Sequence, residues 1–404
     1  MTTDATADDD RSTRETRKEF LTALGLSVGA ALALGLSRFA YALLLPAMRA
    51  DLGWTYAEAG SLNTANGAGY ILGALVAAWT ARRWGAARAF LASFAVSAGV
   101  LLLMAVTARL SVLFALRTIG GASTAITFIL GAGLAAAICP AQDPRRRGTL
   151  VGLYVAGVSL GLLAAGVTIP LMLQDDAQLW PRGWLMLGLL GIAGWPAARW
   201  AARRVREPTS GNRVMLDHAA WRQLAPTFAG YGLFGAGYIG YMTFIIALLQ
   251  TQGGSSAQTI GFWLVLGSVS AVSTFLWGRV LGGYRDGRGA ALVFAVSMLG
   301  TLPVQLSSGP AAMFASAVLF GGSFLAGPAA ATIIAQRQLP AASWTAAISL
   351  LTVSFALGQT VSPLIAGAIS DATGSLAAGF WVSPVLLGAA AFANLLQRPP
   401  RHID

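Results

Sequence analysis

Residues 34–48 read LGLSRFAYALLLPAM, and the part from Gly35 to Leu45, GLSRFAYALLL, returns as GAGYIGYMTFI from Gly235 to Ile245. The shared offset of 200 aligns Tyr41 with Tyr241 and Arg38 with Tyr238. The turn that follows repeats in the same register. Thr55-Tyr-Ala-Glu58 and Ser255-Ser-Ala-Gln258 both have the form of a capping box, whose end residues exchange side-chain and backbone hydrogen bonds at a helix start. One such tetrad is a weak signal, but two at one offset behind matched apolar runs mark a duplicated unit.

Each copy is too apolar for water. Of 404 residues, 56% are hydrophobic and 11% charged, against about one-quarter charged in an average soluble domain. Stretches of about 20 apolar residues, enough for a hydrocarbon core of about 30 Å, fall near 20–47, 57–80, 86–107, 111–137, 148–173 and 183–200. A second six fall near 223–249, 257–281, 289–306, 310–335, 341–369 and 375–396. Backbone polar groups in lipid must bond within their own segment, so each stretch is predicted helical. The expected fold is all-α and integral to the membrane, with twelve transmembrane helices in two pseudo-symmetric six-helix bundles, 20–200 and 223–397. Residues 201–222 read as a linker marked by Pro208, Ser210 and Gly211. Residues 1–19 read as a disordered cytoplasmic tail, too polar to offset its ordering entropy and unlike a secretory signal, and 398–404 as a second tail.

A net charge of +11 raises the question of nucleic acid, but the arginines lie in short loops between spans, which suits membrane topology instead. With the N-terminus inside, the cytoplasmic segments hold Arg82, Arg83, Arg88, Arg145, Arg146, Arg147, Arg199, Arg203, Arg204, Arg206, Arg213, Arg222, Arg285, Arg288, Arg337, Arg398 and Arg401. The other side keeps Arg49, Arg109 and Arg182. This asymmetry predicts both termini in the cytoplasm of a protein in the inner (plasma) membrane. Trp54, Trp84, Trp180, Trp200, Trp221 and Trp344, at segment ends, suit interfacial belts, whereas Trp263 and Trp277 suit the core. Cys139 is the only cysteine, and His218 and His402 lie outside the apolar runs. No disulfide, thiolate cluster or intramembrane haem or zinc site is expected, and no cofactor. A phosphate-binding G-x-x-x-x-G-K-[ST] loop is missing, which argues against ATP-driven chemistry, and no catalytic constellation suggests an enzyme.

SRFAYALLLPAMRADLGWTYAEAG and GQTVSPLIAGAISDATGS, within a likeness that covers residues 20–397, resemble the YbfB/YjiJ branch of the major facilitator superfamily. Arg117-Thr-Ile-Gly-Gly121 resembles that superfamily's fourth-helix motif, where the resemblance implies an arginine facing a central cavity. Helices one, four, seven and ten are then expected to line the cavity, between parallel halves and near the midplane. The loop between helices two and three departs from the family's G-x-x-x-D-R-x-G-R-R pattern. It has Ala78 and Arg82 where the glycine and aspartate stand, and keeps Arg83 and Gly85. Its counterpart GRVLGGYRDGR retains Gly278 and Arg288 with altered spacing around Asp286. These four residues are the candidate gating loop. Gly152, Gly157, Gly161 and Gly166 of helix five suit close packing through small residues, and the helix lacks the ending typical of drug/proton antiporters.

An arginine at mid-span costs about 2.5–3.5 kcal/mol on the gentlest insertion scale, so Arg38 is expected to face protein, water or an anion. At about 1.5 Å per residue, Arg38 and Arg117 lie about 12 and 9 Å from the same end, and Asn63 lies level with Arg38. The two arginines are expected to approach one anion, because a planar guanidinium can donate two parallel hydrogen bonds to a carboxylate. Superfamily members that carry phosphate esters resemble the chain in a first-helix arginine but pair it with a seventh-helix arginine, where this chain has Tyr238. Tyr231, Phe234, Tyr238 and Tyr241 form one aromatic face of helix seven; Tyr41 aligns with Tyr241. Helix two offers Asn63, Asn66 and Tyr70, and helix eleven Phe355, Gln359 and Ser362. The candidate binding set is Arg38, Tyr41, Asn63, Asn66, Arg117, Tyr231, Tyr238, Tyr241 and Gln359. Packing and interhelical hydrogen bonding are the competing roles for the aromatics and asparagines. No carboxylate lies deep in a helix. Glu58, at the outer end of helix two, is the candidate for coupling and also the candidate structural partner of Arg38.

These residues fit a secondary transporter of a small, singly charged organic anion, working as a monomer in the bilayer and coupled to an ion such as the proton. They also leave open an exporter of a neutral or amphipathic solute with structural arginines, and a membrane solute sensor that does not transport.

Overall fold

The structure, a computed structural model, describes residues 3–139, 143–173, 176–205, 218–340 and 343–399. Both capping boxes form in it. Thr55 Oγ1 accepts from Glu58 N (3.1 Å) while Glu58 Oε2 accepts from Thr55 N (2.9 Å). Ser255 Oγ and Gln258 Oε1 repeat the exchange at 3.2 and 2.8 Å. Each box is preceded by a glycine in the left-handed region, Gly53 (φ 66°) and Gly253 (φ 83°), which lets the chain reverse within a few residues.

The described residues form twelve long helices and no strand. The first half contains α1 (Thr3–Ala30, Ala31–Phe39 and Tyr41–Leu52), α2 (Tyr56–Trp84), α3 (Ala86–Met104), α4 (Leu110–Ala136), α5 (Pro144–Leu173) and α6 (Trp180–Ala202). The second contains α7 (His218–Thr251), α8 (Ser256–Gly282), α9 (Arg288–Thr301), α10 (Pro310–Gly321, Phe324–Ala326 and Gly327–Gln338), α11 (Trp344–Thr373) and α12 (Leu376–Phe380 and Val382–Leu395). Ten are long and apolar enough to cross a membrane. The others, α2 and α6, have 29 and 23 residues, also enough to span. Asn63, Thr64 and Asn66 dilute the apolarity of α2, and Pro181, Arg182, Pro196 and Arg199 that of α6. Leu72, Leu75, Trp79, Ile119, Leu185 and Leu189 face outward and are exposed, as a lipid-facing surface requires.

Two helices change their helix type where the sequence reads as one α-helix. In α1, residues Ala31–Phe39 form a π-helix, and the N–H of Ala40 reaches back five residues to Gly35 O (3.0 Å). Gly35 lies so close to α5 that a Cβ there would sit 2.5 Å from Gly161 Cα. In α10, a single 3₁₀ turn at Phe324–Ala326 separates two α-helical pieces.

The tail expected at 1–19 is instead helical from Thr3. Residues 3–19 contain neither Gly nor Pro, and their acidic cluster precedes their basic one, the order a helix dipole favours. Near its end, Glu19 pairs with Arg146 Nε (2.6 Å) and Thr16 accepts from Arg146 Nη2 (2.9 Å). Most of the 201–222 linker, with Arg206, Pro208, Ser210, Gly211 and Arg213, lies outside the described residues, as do Arg401, His402 and the side chain of Arg145. Trp54 and Trp180 belong to the protein core rather than to an interfacial belt. They are 8% and 3% exposed, and Trp180 Nε1 donates to Asp51 Oδ2 (2.8 Å). Trp84, Trp200 and Trp221 are exposed.

The halves meet along two seams. In one, α2 packs on α11: a Cβ on Gly60 would strike Pro363 O, and one on Gly367 would strike Tyr56 O. At its end, Asp371 accepts the N–H groups of Tyr56 and Ala57 through its two oxygens, each at 2.8 Å. In the other seam, α5 packs on α8, with Gly166 against Trp263 and Ser159 Oγ 3.0 Å from Ser270 Oγ. The end of the bundle that carries the Gly53 and Gly253 turns, here called the distal end, is thus closed.

Candidate substrate-binding site

Arg117 of α4 sits where α1, α2 and α4 converge, 1% exposed. Its Nη1 donates to Ser37 O (2.7 Å), its Nη2 to Asn63 Oδ1 (2.7 Å) and its Nε to Leu62 O (3.3 Å). The guanidinium also lies over Tyr41 (4.9 Å) and Trp184 (5.9 Å). These partners all belong to the first half, so Arg117 ties that half together. Asn63 is equally committed, since its Nδ2 donates to Thr243 Oγ1 across the interface (2.6 Å). The level assigned to Arg117, beside Arg38 and Asn63, matches this geometry. Its expected freedom to hold an anion does not, because each guanidinium nitrogen already donates to the protein.

Arg38 differs in kind. It is 3% exposed, lies 5.3 Å over the ring of Tyr70, and its Nε and Nη2 are buried without a protein acceptor. The expected alternative partner, Glu58, is occupied by its own capping box, with Oε2 also 3.2 Å from Thr55 Oγ1. Across the interface stands Tyr238, whose ring meets Phe39, the residue after Arg38, at 6.4 Å. The Tyr238 hydroxyl donates to Gln359 Oε1 (3.1 Å), leaving Gln359 Nε2 buried and unpartnered. Arg38 Nε, Arg38 Nη2 and Gln359 Nε2 are thus three buried donor nitrogens with no acceptor. Asn66 supplies an unpartnered acceptor, Oδ1, while its Nδ2 donates to Arg117 O (3.3 Å).

The second half faces this charge with rings. Tyr231, Phe234, Tyr238 and Phe355 stack nearly parallel; Tyr238 and Phe355 are 5.3 Å apart at 14°. Phe324 and Phe320 of α10 extend the stack, and Phe39, next to Arg38, meets Tyr238 and Phe324 edge-on. Tyr241 leaves this face: it bonds Ser316 (2.7 Å) and stacks on Phe320 inside its own half. Tyr41 turns inward likewise, donating to Ala59 O (2.7 Å) and stacking on Trp184. Ten residues of helix rotate a side chain about 80° from its starting direction, which is why Tyr241 diverges from Tyr231. Phe39, Phe320 and Phe324 were not among the sequence candidates. The i, i+4 spacing of Phe320 and Phe324 is a signal that could have found those two.

The gating-loop candidates lie at the other end. Arg83 is exposed and Gly85 adopts φ 85°. Gly278 has open space beside it, and Arg288 pairs with Asp286 (3.3 Å) within its own loop. A different contact closes that region of the second half, Arg337 Nη2 donating to Gly282 O (2.9 Å).

A sequence profile described as "Uncharacterised MFS-type transporter YbfB" matches residues 30–396. A chloramphenicol resistance protein from Streptomyces lividans is 28% identical over 83% of this chain and 85% of its own length. Among solved structures, a bacterial homologue of the human lysosomal transporter Spinster, inward-facing and occupied, superposes with TM-score 0.75 at 18% identity, covering 94% of this chain and 96% of that one. Its inward-facing, unoccupied form gives 0.66 at 18% identity over 94% and 92%. A mutant form of the nucleoside transporter NupG gives 0.73 at 14% identity over 93% and 99%.

Proposed function

This chain belongs to the YbfB-type family of major facilitator superfamily transporters, and from that premise we propose that it moves a small, singly charged organic anion across the inner membrane by alternating access. The observation that carries the reading is Arg38, a buried guanidinium with two nitrogens lacking any acceptor, at the interface of the halves. A buried unpaired charge is expensive, and an anion that arrives when the halves part would offset that expense. Arg38 alone supplies the charge, because Arg117 is spent on structure. The arginine asymmetry supports an orientation with both termini in the cytoplasm and the distal end outside. Coupling to a proton would use a carboxylate near an end of the bundle, Glu58 or Asp371, since the sequence has none between.

Uptake of a labelled organic-acid panel by proteoliposomes tests this. Arg38→Lys should lower uptake at least tenfold although charge is kept, because an ammonium cannot reproduce the bidentate fork. Arg38→Ala should abolish uptake without lowering thermal stability, since it removes a buried unpaired charge. Unchanged uptake by Arg38→Ala would overturn the reading. The likeness to a chloramphenicol resistance protein favours a second reading, export of a neutral or amphipathic solute along the ring-lined wall. In that case Arg38→Ala would retain transport of the neutral solute.

A further inference from the structure

The two halves put unlike chemistry at equivalent positions: Arg38 on α1 and Tyr238 on α7 occupy the same place in the repeat. Arg38 lies over the Tyr70 ring with two nitrogens unpartnered, and around Tyr238 is a stack of rings drawn from α7, α10 and α11. Among the described ring contacts, the stack meets the first half through the edge of Phe39. When the halves separate, those ring faces lose their cover, and apolar area returned to water is unfavourable. A ligand that bears a ring can replace the cover, while a flexible polar anion cannot.

Resting on the anion reading above, we infer that the transported class is the aromatic carboxylate, with its carboxylate on Arg38 and Gln359 Nε2 and its ring against Tyr238 and Phe355. The unpartnered donors on this interface, Arg38 Nε, Arg38 Nη2 and Gln359 Nε2, are what a carboxylate's two oxygens require. The Tyr238 hydroxyl has a positioning role: by donating to Gln359 Oε1 it turns the amide so that the NH₂ group faces the site. Asn66 Oδ1, an unpartnered acceptor, suits a hydroxyl on the ligand ring rather than a second carboxylate.

The test is equilibrium binding to the purified full-length protein of three probes of similar size: benzoate, cyclohexanecarboxylate and benzamide. Benzoate should bind about three- to tenfold more tightly than cyclohexanecarboxylate, the worth of a ring-on-ring contact beyond area, and more tightly still than neutral benzamide. Equal binding of benzoate and cyclohexanecarboxylate, both well above benzamide, would overturn the aromatic class and leave the anion reading standing. Equal binding of benzoate and benzamide would overturn the anion reading itself, and no binding of any probe would overturn both. Phe355→Leu should bring the benzoate to cyclohexanecarboxylate ratio close to one. Tyr238→Phe keeps the ring but frees the amide, so it should weaken both carboxylates alike and leave their ratio unchanged. The wild-type comparison needs no variant, so a misfolded substitution does not shelter the inference.

Discussion

Arg38 and Arg117 are both almost fully buried, 3% and 1% exposed, yet their neighbours give them opposite tasks. Arg117→Ala would strand Ser37 O, Leu62 O and Asn63 Oδ1, and buried polar groups left unpaired cost about 1–3 kcal/mol each. It should therefore lower the thermal unfolding temperature markedly in detergent, by a loss on the order of 2–5 kcal/mol, whereas Arg38→Ala should leave that temperature unchanged or raise it. Reversal of that ranking would mean that the two roles have been exchanged. The common level of the two arginines was legible in the sequence, because helix rise converts spacing into depth. Their division of labour was not. Two of the three acceptors that hold Arg117 are backbone carbonyls on other helices, which no side-chain pattern records. The direction of Tyr41 and Tyr241 was hidden for a related reason, since the space that receives each ring is created by Trp184 or Phe320 elsewhere in the chain.

At the level of whole helices, local chemistry was readable and contact-dependent chemistry was not. The capping boxes at Thr55 and Ser255 involve four consecutive residues each, so the sequence contains every partner. The π segment that presents Arg38 depends instead on the approach of Gly35 to Gly161. Such widened turns occur often at functional positions, and here Ser37 O within the segment is also the carbonyl that takes Arg117. Gly35→Ala would place a carbon 2.5 Å from Gly161 Cα, against backbone that cannot rotate away. It should force α1 and α5 apart and reduce both stability and uptake, while Gly133→Ala, where nothing lies within 4 Å, should be silent in the same assays. Equal behaviour of the two variants would separate the π segment from function. Cys139 illustrates the readable kind: it packs as a small apolar residue against Ala23 and Leu150, and burial pushes its thiol pKa up. Its replacement by alanine gives a cysteine-free background for labelling.

At the scale of the whole molecule, the described contacts that close the halves gather at the distal end, where Asp371 fastens the α2–α11 seam. It links the last turn of α11 to the first turn of α2, and a carboxylate at a helix N-terminus meets both free N–H groups and the positive end of the dipole. The family's usual latch lies between helices two and three at the opposite end, where this chain has Arg82 in place of the aspartate. The described contacts thus put the fastening of the halves outside if the arginine asymmetry sets the orientation. Two measurements check that statement together. Reporter fusions within 206–217 and after Asp404 should both report cytoplasm, and a periplasmic signal from either would invert the orientation. In the Cys139→Ala background, cysteines at Ala50 and Gly254, which line one groove at the distal end from opposite halves, should be joined by a short bifunctional reagent. Joining should become less efficient when substrate and an imposed gradient draw the protein outward-open. Asp371→Ala should produce the same loss without substrate, shifting the closed-to-open ratio about fivefold for the roughly 1 kcal/mol that a helix cap contributes. If joining is insensitive to substrate, gradient and Asp371 alike, the halves do not part at this end, and a protein that senses a solute without moving it becomes the better account.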